Sequence, residues 1–227
     1  MIIITGGSRG IGKYLLNTFL ENDNVVFATY NSTTPENNIP EIYTKVDLTD
    51  YSAVSGWIKQ ITKNQTNLVL LNCMGINYNA LAHNADISLW SNIIDTNLTG
   101  TYNVIRAVLP IMRKQQYGRI INFASVVAQI GVPGTSAYAA SKSGLWGMTK
   151  SISAENLSKG ITINTLNLGY FDIGMIRDVP YKYQQSIKEK IPTGNFGHPK
   201  NIKHAVNFLI QADYVSGSSI DINGGLF

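Results

Sequence analysis

The sequence predicts an α/β fold, a doubly wound parallel sheet of seven strands with helices on both faces. Short, β-rich apolar runs alternate with longer stretches of helical pattern along the whole chain. Most of these runs are apolar at consecutive positions rather than alternate ones, as strands covered on both faces require. The first run ends in a glycine-rich turn, Thr5-Gly6-Gly7-Ser8-Arg9-Gly10-Ile11-Gly12, at the point where the first helical pattern begins. Glycines there let the backbone turn tightly and approach a pyrophosphate at the helix N-terminus, a Rossmann-like arrangement.

The first strand is Met1 to Thr5, and the glycine turn leads into a helix over Gly10 to Glu21. Val25 to Tyr30 forms the second strand and Ile42 to Val46 the third. Only Asn31 to Glu41 lie between them, rich in Asn, Thr and Pro, so the crossover helix expected there is shortened or missing. A helix over Tyr51 to Lys63 precedes the strand Leu68 to Asn72. One long helix is then expected over Ser88 to Gln115, before the strand Arg119 to Ala124. Ser136 to Ser158 is helical, Thr162 to Leu166 is a strand, and one or two short helices fall between Met175 and Lys190. A helix over Lys200 to Gln211 and a strand over Ser219 to Ile222 complete the pattern. No repeat, linker or low-complexity segment divides residues 1–227, which are read as a single domain.

Composition narrows the function. Hydrophobic residues make up 44% of the 227 and charged ones 14%, against about 25% charged in an average soluble protein, so extensive burial is expected and disorder is not. The formal net charge of +4 comes without any run of like charges, which argues against nucleic-acid and membrane-surface partners. Cys73 is the single cysteine, so no internal disulfide can form, and no Cys/His spacing suggests a zinc site. With neither a basic leader nor a stretch near the ~20 apolar residues that span a bilayer, the expected location is the cytoplasm.

Tyr138-Ala139-Ala140-Ser141-Lys142 places a phenol and an ammonium four residues apart, on one face of a helix. The spacing alone is common. It gains meaning because a nearby cation favours tyrosinate and lowers the phenol pKa toward acid/base duty. Ser125, at the end of the fifth strand, would emerge at the carboxyl edge of the sheet, where ligands of such folds bind.

With these residues the chain resembles the single-domain branch of the short-chain dehydrogenase/reductase family over nearly all its length. In that family a Thr-Gly-x-x-x-Gly-x-Gly turn binds a dinucleotide, matched here by Thr5, Gly6, Gly10 and Gly12, with Ser8, Arg9 and Ile11 between them. The resemblance implies Ser125, Tyr138 and Lys142 as the proton-transfer set, with Asn97 of Asp95-Thr96-Asn97-Leu98-Thr99-Gly100 completing a water relay to the lysine. Val46-Asp47-Leu48 resembles the adenine-binding segment and Asn72-Cys73-Met74-Gly75 the Asn-Asn-Ala-Gly turn. The cofactor set so implied also includes Tyr30, Asn31, Gly169 and Ile173, besides Tyr138 and Lys142. The tail from Ile191-Pro192 to Gly224-Gly225 is most similar to the 3-oxoacyl-carrier-protein reductases.

Three positions depart from the family. Cys73 and Met74 replace Asn and Ala, Leu168 replaces a proline, and Ile173 stands where a threonine commonly meets the nicotinamide carboxamide. Ile173 has no hydroxyl, so either backbone groups such as its own N–H take that role or this end of the site is looser. Cys73 reads as a small core residue rather than a nucleophile, because the partners of a low-pKa thiol are missing.

Charge argues for NADP(H) over NAD(H). The second strand ends in Tyr30, Asn31 and Ser32 rather than an acid that would bind the ribose hydroxyls, and Arg9 can face a 2′-phosphate with its forked donor. His83, His198 and His204 are scattered and without catalytic partners, and Arg106, Arg113, Lys114 and Arg119 read as a solvated helix face rather than a rim for an acidic carrier protein. Met175 to Lys190 lies where the family carries its mobile substrate lid.

The expected activity is NADPH-dependent reduction of a ketone, a 3-oxoacyl thioester by the closest family likeness, with acyl carrier protein as a possible partner. A ketoreductase of secondary metabolism or of surface-sugar synthesis is the enzymatic alternative, and a non-catalytic nucleotide-binding sensor or scaffold the alternative from another class. The resemblance also implies a homotetramer, paired through the two long helices.

Overall fold

The computed structural model describes residues 1–36 and 39–226. Seven parallel strands form one sheet in the order β3-β2-β1-β4-β5-β6-β7, with β1 at Ile2–Thr5, β2 at Val26–Tyr30, β3 at Tyr43–Lys45, β4 at Val69–Asn72, β5 at Gly118–Ser125, β6 at Ile161–Leu168 and β7 at Ser219–Ile222. The order reverses beside β1, which pairs with β2 on one side and β4 on the other. That reversal opens a crevice at the carboxyl ends of the strands. Every predicted strand is present, and β5 is one residue longer at its end, so that Ser125 is its last residue.

The consecutive apolar pattern has a direct structural counterpart. Ile2 and Ile4 of β1 join one core layer and Ile3 the other, and Val69 and Leu71 of β4 are split from Leu70 in the same way. The helices α1 (Gly10–Leu20) and α8 (Lys200–Gln211) cover the first face through Leu15, Leu16, Ile202 and Val206. The helices α2 (Tyr51–Ile61) and α4 (Gly100–Gln115) cover the second through Val54, Ile58, Val104 and Val108. Among the described residues between β2 and β3 there is no helix, as the short Asn/Thr/Pro-rich connection anticipates.

The long helix expected over Ser88 to Gln115 is instead two helices joined by a wider turn. Helix α3 (Ile87–Ile94) runs into a π-helical turn, Asp95–Thr99, and then into α4. An extra residue in a helical turn breaks the 3.6-residue pattern locally, which sequence periodicity does not register. A four-residue helix α5 (Val127–Ile130) follows Ser125, a 3₁₀ turn spans Gly174–Asp178, and α7 (Tyr181–Lys188) follows it.

The 21-residue helix α6 (Ser136–Asn156) is unusual in how it meets the sheet. Its buried face includes Ser141, Lys142, Thr149, Ser153 and Asn156 as well as Leu145 and Ile152. Lys142 Nζ donates to the Phe123 carbonyl at 2.8 Å, Trp146 Nε1 donates to Asn167 Oδ1 at 2.8 Å, and the Thr149 and Thr165 hydroxyls are bonded at 2.9 Å. Directional bonds therefore set the rotation of this helix, where apolar packing alone would leave it free to slip. No helix among the described residues is long and apolar enough to cross a membrane.

Candidate active site

A cleft of about 1390 Å³ lies across the carboxyl ends of the strands. Its floor at one end is the glycine turn between β1 and α1. Gly6 has φ +69°, and a Cβ there would stand 2.9 Å from the Met74 Cα; a Cβ on Gly12 would overlap the Gly6 carbonyl oxygen. Only glycine keeps this turn closed. The helices α2 and α3 are capped by Asp50 and Asp86, whose carboxylates accept from two backbone N–H groups each. By contrast α1 begins at Arg9 with no side-chain cap, leaving its first-turn N–H groups available at the cleft. An uncapped, positively polarised helix end beneath a turn with no Cβ atoms in the way fits a pyrophosphate.

Ser125, Tyr138 and Lys142 reach the same cleft from β5 and α6. Ser125 Oγ accepts from the Val127 N–H at 3.2 Å. The Lys142 ammonium lies 5.7 Å from the centroid of the Tyr138 ring, and a Cβ on Gly75 would come within 3.3 Å of it. Burial pushes the Tyr138 phenol up to about 12, opposed by its bond with Ser125 and reinforced by Tyr170. Burial also brings Lys142 down to about 8. The sequence argument expects the lysine charge to lower the phenol; instead desolvation dominates, only the Ser125 bond opposes it, and the phenol keeps its proton.

Ser8, Arg9, Gly10, Ile11, Gly12, Tyr30 and Asn31 line the cleft at the glycine-turn end, and Gly75, Gly169 and Ile173 line it further along. Thr5, Asp47, Leu48 and Asn72 do not line it. The Thr5 hydroxyl accepts from the Met74 N–H at 3.3 Å, and Asp47 accepts from both N–H and hydroxyl of Thr49 at 2.9 and 2.8 Å. Leu48 is packed in the core, and the Asn72 amide donates to Asn122 at 2.8 Å. Thr5, Leu48 and Asn72 are buried, with the Asn72 side-chain oxygen left without a partner among the described residues, whereas Asp47 is exposed. The Ile173 N–H is bonded to the Phe171 carbonyl at 2.7 Å, so it does not replace the missing threonine hydroxyl as a free donor.

Asn97 sits in the π turn, fully buried and behind the cleft lining. Its side chain accepts from the Ile76 N–H at 2.9 Å, donates to the Ile76 carbonyl at 2.9 Å and donates to Ser141 Oγ at 3.1 Å. It thereby joins the loop after β4 to the helix that carries Tyr138 and Lys142. Cys73 lines the cleft, but burial pushes its thiol up, against nucleophilic use.

None of the three histidines lines the cleft, and no group of His, Cys, Asp and Glu among the described residues can hold a metal ion. Of the four basic residues, Arg106, Arg113 and Lys114 are exposed on α4, as a solvated helix face requires, whereas Arg119 belongs to β5. Arg119 is buried and bonded to the Ile210 and Gly160 carbonyls, Arg113 donates to Asn156 at 2.7 Å, and Arg106 lies over the Tyr51 ring at 4.1 Å. An apolar wall comes from Met175, Tyr183 and Ile187, within the segment 175–190 where the sequence places a substrate lid, and from Val132 and Pro133 after α5, which sequence reasoning missed and which only their position beyond β5 could have signalled.

The family model described as short chain dehydrogenase matches residues 1–184. An acetoacetyl-CoA reductase of Shinella zoogloeoides is 35% identical over 99% of this chain and 97% of its own. The 3-oxoacyl-[acyl-carrier-protein] reductases of Vibrio harveyi and Staphylococcus aureus (strain Mu50 / ATCC 700699) are each 33% identical over 99% of this chain, and over 96% and 97% of theirs. The chain belongs to the short chain dehydrogenase family. It is an oxidoreductase acting on CH–OH and C=O groups, and a nicotinamide dinucleotide is its cofactor class.

Proposed function

We propose that residues 1–227 act as one NADPH-dependent reductase domain that converts a 3-oxoacyl thioester to the corresponding secondary alcohol. The observation that carries this reading is the convergence of Ser125, Tyr138 and Lys142 on the cleft that the glycine turn opens. The names of the full-length relatives, reductases of acetoacetyl-CoA and of 3-oxoacyl carrier protein, support a thioester. When bound, the nicotinamide supplies the hydride. The Ser125 hydroxyl holds the substrate oxygen, and Tyr138 gives that oxygen its phenolic proton, which the raised pKa keeps in place at neutral pH. Lys142 holds the cofactor ribose and offsets the charge left on the phenolate. Asn97, through Ile76 and Ser141, fixes the loop and the helix that face each other across the reacting groups.

Two features support NADPH. Arg9 lines the glycine-turn end of the cleft, and Tyr30, Asn31 and Ser32 place no carboxylate where a 2′-phosphate would be repelled. Acyl carrier protein is a candidate donor of the substrate, and the active form is a cytoplasmic homotetramer paired through α4 and α6.

The deciding experiment follows NADPH oxidation with a short 3-oxoacyl thioester, in parallel with NADH and with Tyr138→Phe. Turnover is expected with NADPH and a loss of about 10²–10⁴-fold in the variant. A variant near wild-type rate would overturn the role of Tyr138, and no turnover of any ketone despite NADPH binding would favour a nucleotide-binding sensor.

A further inference from the structure

Four polar side chains outside the proton-transfer set form one connected chain behind it. Asp221 of β7 accepts from Asn167 Nδ2 at 2.6 Å and from Gln129 Nε2 at 3.0 Å through the same carboxylate oxygen. Asn167 in turn accepts from Trp146 Nε1 at 2.8 Å. Each of the four belongs to a different element. Gln129 lies in α5, the single helical turn that begins two residues after Ser125. Asn167 pairs with Ala124 in the register of β5 and β6, one step before Ser125 meets Leu168. Trp146 follows Lys142 by four residues and Tyr138 by eight, so the three share one face of α6. Asp221 is opposite Asn167 in the pairing of β6 and β7.

We propose that Asp221 is a positioning residue for the reduction: from the edge strand it holds both Ser125's turn and the rotation of the Tyr138/Lys142 helix. The inference rests on the reductase reading above. A carboxylate is suited to the task because it accepts from both amides at once, with charge-assisted strength. The alternative anchors are weak. The Gln129 side-chain oxygen is buried with no partner, so Asp221 supplies the one hydrogen bond of that amide group among the described residues. Asn167 is 2% exposed. Without Asp221 it would keep the indole bond but lose the acceptor that fixes which way its own amide points.

The test measures kcat and KM for wild type, Asp221→Asn, Asp221→Ala, Trp146→Phe and the Asp221→Ala/Trp146→Phe pair. Asparagine retains an acceptor oxygen and is expected within about threefold of wild type, whereas alanine and Trp146→Phe are expected to lower kcat about tenfold or more with little change in the cofactor KM. Because both act through Asn167, the pair should lose scarcely more than one of them. Wild-type kcat in folded Asp221→Ala, or fully multiplicative losses in the pair, would overturn the proposal. A second readout needs no turnover: the near-ultraviolet circular dichroism band that Trp146→Phe removes should be altered in Asp221→Ala and retained in Asp221→Asn. If wild type reduces no ketone, the reductase reading fails by itself, and an unaltered band would separately refute the coupling of Asp221 to α6.

Discussion

Tyr138 and Lys142 experience the same burial with opposite results, because desolvation always disfavours the charged form. The phenol is held neutral and the ammonium is made easier to neutralise. Lys142 therefore costs stability wherever it is charged. Its folded-state pKa is lowered to about 8 from 10.5, so the unfolded chain binds the extra proton between those values and stability rises with pH across that window. Lys142→Met, which removes the buried charge, is expected to raise the melting temperature at pH 7 by about 2–6 °C while abolishing turnover. The gain should shrink as pH climbs past 8, and a melting temperature unchanged or lowered at pH 7 would show that the Phe123 bond outweighs the desolvation. At the other end of the cleft, Arg9→Ala should raise the KM for NADPH roughly tenfold to hundredfold and leave that for NADH nearly constant; equal effects would remove the charge argument. That Ser125, Tyr138 and Lys142 share one cleft was legible in the sequence, where the common Tyr/Lys spacing takes its meaning from the family resemblance and from the place of Ser125 at a strand end. The direction of the Tyr138 shift is not legible, since it depends on the surface that neighbouring segments cover.

The glycine turn is the element most fully written in the chain. A Cβ on Gly12 would collide with a backbone carbonyl that no rotamer change can move, so Gly12→Ala is expected to cost about 3 kcal/mol or more. Denaturant unfolding would measure this, and a loss below 1 kcal/mol would mean that the turn can relax. The π turn is the opposite case. Asp95 to Thr99 holds the weak helix formers Asp, Thr and Asn beside Leu98, but nothing in its periodicity marks the extra residue. Three hydrogen bonds from the buried Asn97 amide hold it in place. Asn97→Ala leaves the Ile76 peptide without these partners and is expected to destabilise by about 2–4 kcal/mol, with hydrogen exchange at Ile76 accelerating more than at the core strands. The short α5 was missed for a related reason, since four residues are too few to show a helical period.

Taken as a whole, the sheet was readable because it is buried on both faces, which forces its strands to be apolar at successive positions. Polar residues within those strands are the exceptions that matter. Asn122, Asn164, Thr165 and Asn167 stand at buried positions of β5 and β6, and each has a hydrogen-bond partner outside its own strand pairing, for Asn167 the Trp146 indole. Their partners could not be assigned from sequence, because a strand pattern shows that a buried polar group exists without showing what satisfies it. Pairing through α4 and α6 leads to the expectation of a tetramer by light scattering at micromolar concentration; a monomer there would refute it.

The edge position of β7 also orders events in time. Gln129 and Asn167 wait for a partner 92 and 54 residues further along the chain. During synthesis the glycine turn, Ser125, Tyr138 and Lys142 all emerge before the strand that braces them. Closing such distant contacts carries the larger loop-entropy cost, so on the positioning role proposed for Asp221 the emergence of β7, rather than formation of the cleft, becomes the step that commits the protein to work.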